Sequence, residues 1–164
     1  MMGPTVTLGT VAQIGVLVTD LQKTIEEYWN TLGIGPWSIW KYDPTVVADM
    51  TYRGKPHEYA ITIALAQVGP VQWEVIEPLW GESIYTEFLR EHGEGLHHVG
   101  YLVDEPWEIV EDLNAVGVNA IQSGFVKGRS FIYLDTEKRL GVCVELIGTG
   151  GTHLPPDRVY PSAE

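Results

Sequence analysis

Cysteine is nearly missing from this chain, and positive charge is scarce. Cys143 is the single cysteine among 164 residues, so no internal disulfide can form and a reducing compartment fits. It stands between Val142 and Val144, where a buried, inert thiol is expected rather than a nucleophile. Ten Lys and Arg face 22 Asp and Glu, a net charge of −12. That balance speaks against nucleic acid and anionic membrane surfaces as partners, because both need a basic face. A small anion held by a local Arg and Lys cluster stays open. No apolar run approaches a membrane span, and Met1-Met2-Gly3-Pro4-Thr5 lacks the basic flank and apolar core of a secretory signal. With 45% hydrophobic and 20% charged residues, the expectation is a globular cytoplasmic protein.

A repeat is what the chain does have. Gln13-Ile14-Gly15-Val16-Leu17-Val18 lines up with His98-Val99-Gly100-Tyr101-Leu102-Val103 at an offset of 85. Gly15, Leu17 and Val18 recur as Gly100, Leu102 and Val103. Asp20 is followed by Ile25, Tyr28 and Leu32; Glu105 is followed by Trp107, Val110, Leu113 and Val116. Each set lies on one helical face, and Gly33 and Gly117 stand where left-handed caps end helices. The chain is therefore expected to be two copies of one strand–helix unit.

The rest follows in order. Residues 1–10 read as a loose arm, and 11–80 as a first β-α-β-β-β unit. A connecting helix falls in 81–94, capped at Ser83, and 95–148 is the second unit. The Gly- and Pro-containing end, 149–164, lacks periodicity and is expected to be flexible. Trp73-Glu74-Val75-Ile76 answers Val144-Glu145-Leu146-Ile147 at an offset of 71. The drop from 85 to 71 puts about fourteen extra residues in the first unit, near 43–57. A substrate cover and a solvent-exposed loop without a role both stay open for that insertion. Trp37, Trp40, Tyr42, Tyr52, Tyr59 and Trp73 either fill a core or line an aromatic pocket.

Gln13, Glu74, His98 and Glu145 each interrupt an apolar strand, at equivalent positions of the two repeats. A carboxylate facing a core is costly unless paired or bound to a cation. Taken singly, each residue has a structural explanation. As a symmetric foursome they suit a divalent ion, Zn, Mn, Co, Ni or Mg, with positions left for water or substrate oxygens. Strand alternation lets one of His97 and His98 face such a cleft. The repeat register gives His98, leaving His97 a packed or rim residue that alanine could replace with metal binding nearly intact.

Paired units with a ligand on the first strand and a Glu near the end of each resemble the vicinal oxygen chelate superfamily. The stretches that carry the resemblance are Gly95-Leu96-His97-His98-Val99-Gly100, Val144-Glu145-Leu146-Ile147 and Val18-Thr19-Asp20-Leu21, and it extends over residues 11–148. The layout is most similar to the methylmalonyl-CoA epimerase and glyoxalase I branch. The resemblance implies an α+β fold in which two tandem βαβββ units form a curled mixed sheet around a metal cleft. It implies Gln13, Glu74, His98 and Glu145 as ligands. A Gln/Glu/His/Glu set resembles that of animal glyoxalase I, whereas epimerases more often place His first.

The implied chemistry is proton abstraction next to a carbonyl by a metal-dependent lyase, isomerase or epimerase. Glu145 is the first choice of base and Glu74 the candidate on the opposite face. Arg53, Lys127 and Arg129, beside two Gly-containing turns, are candidate anchors for an anionic substrate. The alternative is a ligand-binding protein of the bleomycin-resistance type without catalysis; a ring-cleaving dioxygenase, which needs two His and one carboxylate, ranks behind. Exposed sheet edges and an aromatic face point to a homodimer.

Overall fold

The computed structural model describes residues 3–162. β1 (Val11–Leu17) leads into α1 (Leu21–Leu32). The Asp20 carboxylate accepts from the Lys23 amide at the helix start, and left-handed Gly33 ends it. β2 (Trp37–Tyr42) follows, then β3 (Val47–Tyr52) and the two-residue β4 (Lys55–Pro56). β5 (Ala60–Val68) and β6 (Val71–Trp80) close the first unit. α2 (Ile84–His92), with a reciprocal Ser83–Thr86 cap, connects to the second. There β7 (Gly95–Val103), α3 (Pro106–Asn114), β8 (Ala120–Val126) and β9 (Arg129–Leu134) repeat the pattern. A single turn, α4 (Glu137–Leu140), precedes β10 (Cys143–Gly148), and β11 (Arg158–Tyr160) lies near the end.

All eleven strands form one open, curled sheet in the order β11-β2-β5-β6-β1-β7-β10-β9-β8-β3-β4. β1 runs parallel to β6, β7 runs parallel to β10, and the halves meet antiparallel along β1 and β7. The sheet is therefore mixed and close to twofold symmetric about its centre. Leu21 and Ile25 of α1 pack with Trp37, Ile39, Ala64 and Val75 on one half. Val110 of α3 packs with Ile132, Leu134 and Leu146 on the other. A third cluster, including Tyr59, Tyr85, Tyr133 and Ile76, fills the space around which the sheet curls. No helix among the described residues is long and apolar enough to cross a membrane.

Two segments differ from expectation. The 43–57 insertion leaves its own unit and lays β3 against β8 of the second, pairing Val47 with Val126 and Tyr52 with Gln122. A two-residue reversal at Arg53 (φ 52) and Gly54 (φ 76) returns the chain into β4. The end expected to be flexible is docked. The Thr152 amide donates to the Lys127 carbonyl at 3.0 Å, and the Asp157 amide to the Ile39 carbonyl at 2.9 Å. Trp40 Nε1 donates to the carbonyls of Leu154 and Pro155, both at 3.0 Å, and β11 pairs with β2. These partners are far away in sequence, so local periodicity carries no trace of them.

The sheet edges change accordingly. Among the described residues β11 covers Trp37, Ser38 and Ile39 of β2, and β4 covers Thr51 and Tyr52 of β3, so both rims of the sheet are shortened but not closed.

Candidate metal centre

The site is built from the repeated glycines. Gly15 pairs with His98 on β7 and with Glu74 on β6; Gly100 pairs with Gln13 on β1 and with Glu145 on β10. Each glycine thus leaves room for the polar side chain of the opposite repeat. A Cβ on Gly15 would stand 1.9 Å from His98 Cε1, inside the ring's own volume. On Gly100 it would stand 3.1 Å from Gln13 Cβ and 3.2 Å from Glu145 Oε2. The sequence offset of 85 is the signature of this exchange.

The four side chains converge at the sheet centre. His98 Nε2 lies 3.1 Å from Glu74 Oε2, 3.3 Å from Glu145 Oε2 and 3.4 Å from Gln13 Oε1. None of the four residues is more than 6% exposed. Glu74 Oε2 and Glu145 Oε2 are buried without a hydrogen-bond partner. Ligands about 2.1 Å from a cation sit about 3.0 Å apart on an octahedron and about 3.4 Å apart on a tetrahedron. One nitrogen and three oxygens at 3.1–3.4 Å from that nitrogen fit such a polyhedron. A divalent ion is the group these residues suit.

A proton is the competitor. Burial opposes charge on His98, but the Glu145 and Glu74 carboxylates outweigh it and hold the imidazole up to about 9. Burial raises Glu74, against the pull of His98. A single Nε2–H reaches one oxygen well, so an imidazolium leaves a neighbouring carboxylate oxygen unsatisfied. A cation at the centre satisfies all of them.

Outer partners hold two of the four converging side chains. Gln13 Nε2 donates to Gln72 Oε1 at 2.8 Å, which turns Gln13 Oε1 toward the centre. His98 is held by His97, with the two Nδ1 atoms 3.0 Å apart. The pairing of β1 with β7 passes from Gly15–His98 directly to Val16–Leu96, leaving His97 as the extra residue of a bulge. The bulge breaks the alternation, so His97 is no inert control for His98. Its ring is boxed by Tyr85, Phe88 and Tyr133. Burial and neighbouring His98 push its pKa well below the usual range.

The centre opens into a cleft of about 360 Å³. Trp40, Tyr42, Tyr59, Phe131 and Ile61, Ile63 and Leu65 of β5 line it, together with Thr152, His153 and Leu154 of the docked end. Tyr85 Oη donates to Tyr133 Oη at 3.1 Å, while the Tyr59 hydroxyl has no partner. Trp37 and Trp73 belong instead to the cluster under α1.

Of the three candidate anchors, Arg129 alone lines the cleft, its Nε donating to the Gly150 carbonyl at 3.3 Å. Arg53 is spent on an ion pair with Glu87, which also accepts from the Tyr52 hydroxyl. Lys127 occupies a left-handed turn position (φ 51) outside the cleft lining. Neither lines the cleft. Gln72, residues 152–154 and the contact of His97 with His98 were not anticipated. Gln72 was within reach of sequence reasoning, since it lies two residues before Glu74 and shares its strand face.

The family model described as Glyoxalase/Bleomycin resistance protein/Dioxygenase superfamily matches residues 12–133. The uncharacterised protein YqjC of Bacillus subtilis is 26% identical over 136 residues, spanning 81% of this chain and 87% of that protein. Bovine mitochondrial methylmalonyl-CoA epimerase is 26% identical over 148 residues, 88% of this chain and 77% of the enzyme. A solved methylmalonyl-CoA epimerase in complex with methylmalonyl-CoA and NH4+ superposes with a TM-score of 0.62 at 19% identity. That match covers 91% of this chain and 100% of the other.

Proposed function

The chain belongs to the glyoxalase/bleomycin resistance protein/dioxygenase superfamily, and from that premise we propose a metal-dependent epimerase or isomerase that acts on a carbon acid next to a carbonyl. Gln13, Glu74, His98 and Glu145 would hold the divalent ion. The observation that carries this reading is the pair of buried carboxylate oxygens, Glu74 Oε2 and Glu145 Oε2, both unpartnered beside His98 Nε2. Two buried anions repel, and the single Nε2–H of a protonated His98 serves one of them well, whereas a divalent ion would satisfy both.

Glu74 and Glu145 reach the centre from opposite halves of the pseudo-twofold. One carboxylate takes the proton from the carbon. The other, already protonated, returns one to the opposite face, which inverts the carbon and exchanges the two protonation states. Proton exchange with water between turnovers restores them, so no net acid or base is consumed and solvent deuterium can reach the carbon. Burial raises Glu74 against the pull of His98. A bound divalent ion supplies positive charge against the negative charge that develops on a substrate oxygen. The apolar cleft limits water at the carbon, and Arg129 is the candidate anchor for an anionic group of the substrate.

Relatives named methylmalonyl-CoA epimerase support branched acyl-CoA thioesters as the first substrates to test. Incubation of metal-loaded protein with methylmalonyl-CoA in D2O should place deuterium on the acidic carbon, and chelation should stop it. Thiol adducts of 2-oxoaldehydes form the second set, which a lyase of glyoxalase type would turn over. Stoichiometric metal without exchange into either set would favour binding without catalysis. A homodimer is retained as part of the proposal, checked by sedimentation against a monomer of 18.3 kDa.

A further inference from the structure

We infer that His97 is a positioning residue of the metal centre: its Nδ1 lone pair accepts the Nδ1–H of His98, fixing the tautomer that leaves His98 Nε2 free for a divalent ion. The inference rests on the metal-dependent reading above and adds to it a residue outside the ligand set.

Geometry comes first. The two Nδ1 atoms are 3.0 Å apart, a separation that holds one proton between them. Nε2 of His98 is the nitrogen that faces Glu74, Glu145 and Gln13. Ligation through Nε2 therefore puts the proton on Nδ1, and His97 Nδ1 must accept it while carrying its own proton on Nε2. His97 cannot easily turn away. Its ring lies 5.9 Å from Tyr85, 5.0 Å from Phe88 and 5.9 Å from Tyr133, centroid to centroid. The bulge at His97 is what brings two consecutive side chains into contact.

The choice of an imidazole has a chemical reason. A ligating His most often donates its other N–H to a carboxylate or a backbone carbonyl. Here the centre already holds two buried carboxylates. A third acid beside His98 would add negative charge and favour the imidazolium that blocks metal. A neutral imidazole orients the ring without that penalty, and the box of Tyr85, Phe88 and Tyr133 brings no charge to it.

The test uses Co2+ as probe, with affinity from chelator competition and geometry from the visible bands. Wild type should bind one Co2+ per chain. His97→Phe fills the box without an acceptor, so the metal-free protein should melt near wild type. Its Co2+ affinity should nonetheless fall about 10- to 100-fold, with shifted bands. His97→Asn restores an acceptor oxygen and should recover most of the affinity. Equal loss in both variants, or wild-type affinity and bands in His97→Phe, overturns the inference and leaves the metal centre standing. Wild type that binds no Co2+ overturns the metal centre itself, and the inference falls with it. Should His97→Phe fail to fold, histidine 15N NMR of the Zn-loaded wild type decides the matter. Protons on His98 Nδ1 and His97 Nε2 are expected, and the reverse assignment contradicts it.

Discussion

In the first half of the molecule Gln13 is steadied by Gln72, an amide pair on the cleft wall; in the second, His98 is steadied by His97 inside a closed aromatic box. The backbone frames are equivalent: a glycine opposite each ligand, a parallel neighbour strand carrying a Glu, and a helix behind. Only the occupants differ. His98 is fully enclosed and is the single nitrogen of the set, so in the proposed centre it would anchor the ion. Gln13 lines the cleft, so there it would supply a weaker, exchangeable oxygen. One duplicated frame thus carries an enclosed imidazole and a cleft-wall amide at equivalent positions, while each half contributes one Glu, without altering its backbone.

The largest effect should come from breaking the anchor. His98→Ala removes the nitrogen and should abolish metal binding, together with any chelator-dependent drop in melting temperature. Gln13→Ala, the matching change in the other half, should weaken the same response without erasing it. Equal losses would erase the proposed division between halves.

Next comes the carboxylate pair. Glu145→Gln keeps an oxygen ligand but cannot accept a proton, so turnover should fall about 10²- to 10⁴-fold while much of the metal stays bound. Glu74→Gln tests the opposite face. For an epimerase the two should be comparably impaired, and solvent-deuterium exchange starting from each enantiomer measures this.

The glycines give a structural version of the contrast. Gly15→Ala drives a methyl into the His98 ring, 1.9 Å from Cε1, and should cost about 1–3 kcal/mol along with the metal. Gly100→Ala meets its neighbours at 2.9–3.2 Å and should be milder in both respects. Denaturant melts with and without metal compare them.

Protonation offers a subtler handle. In metal-free protein His98 is held up to about 9, above its unfolded value of about 6.5. Its contribution to stability is therefore complete below pH 6.5 and is lost as pH rises through 9. Metal binding displaces that proton, so affinity rises over the same window. The melting-temperature gap between metal-loaded and chelated protein should widen from pH 6.5 to 9. The smallest effect should be Gln72→Ala, which removes one neutral hydrogen bond and should cost less than about tenfold in metal affinity.

The sequence–structure comparison divides along the same lines. The repeat register was legible because Gln13 and Gly15 recur as His98 and Gly100 at one spacing, whereas the exchange of space between glycines and polar side chains comes from the strand pairing. Glu74 and Glu145 were legible because acids are rare in apolar strands. His97 was not, since a bulge adds one residue and inverts the alternation on which a period of two relies. The docked end was missed because Trp40, Ile39 and Lys127, which hold it, are all distant in sequence. Arg53 and Lys127 looked like anchors because charge beside a glycine turn is visible in sequence, while the Glu87 that takes up Arg53 lies in a distant helix, and neither residue lines the cleft.

Metal content of the purified protein tests the central claim most directly. Native mass spectrometry, paired with elemental analysis, should find one divalent ion per wild-type chain, removable by chelator, restored by added Zn, Mn, Co or Ni, and missing from His98→Ala. A wild-type chain that carries no ion, takes none up and melts at the same temperature with or without chelator would contradict it. Glu74 and Glu145 would then be held together by a proton on His98 alone.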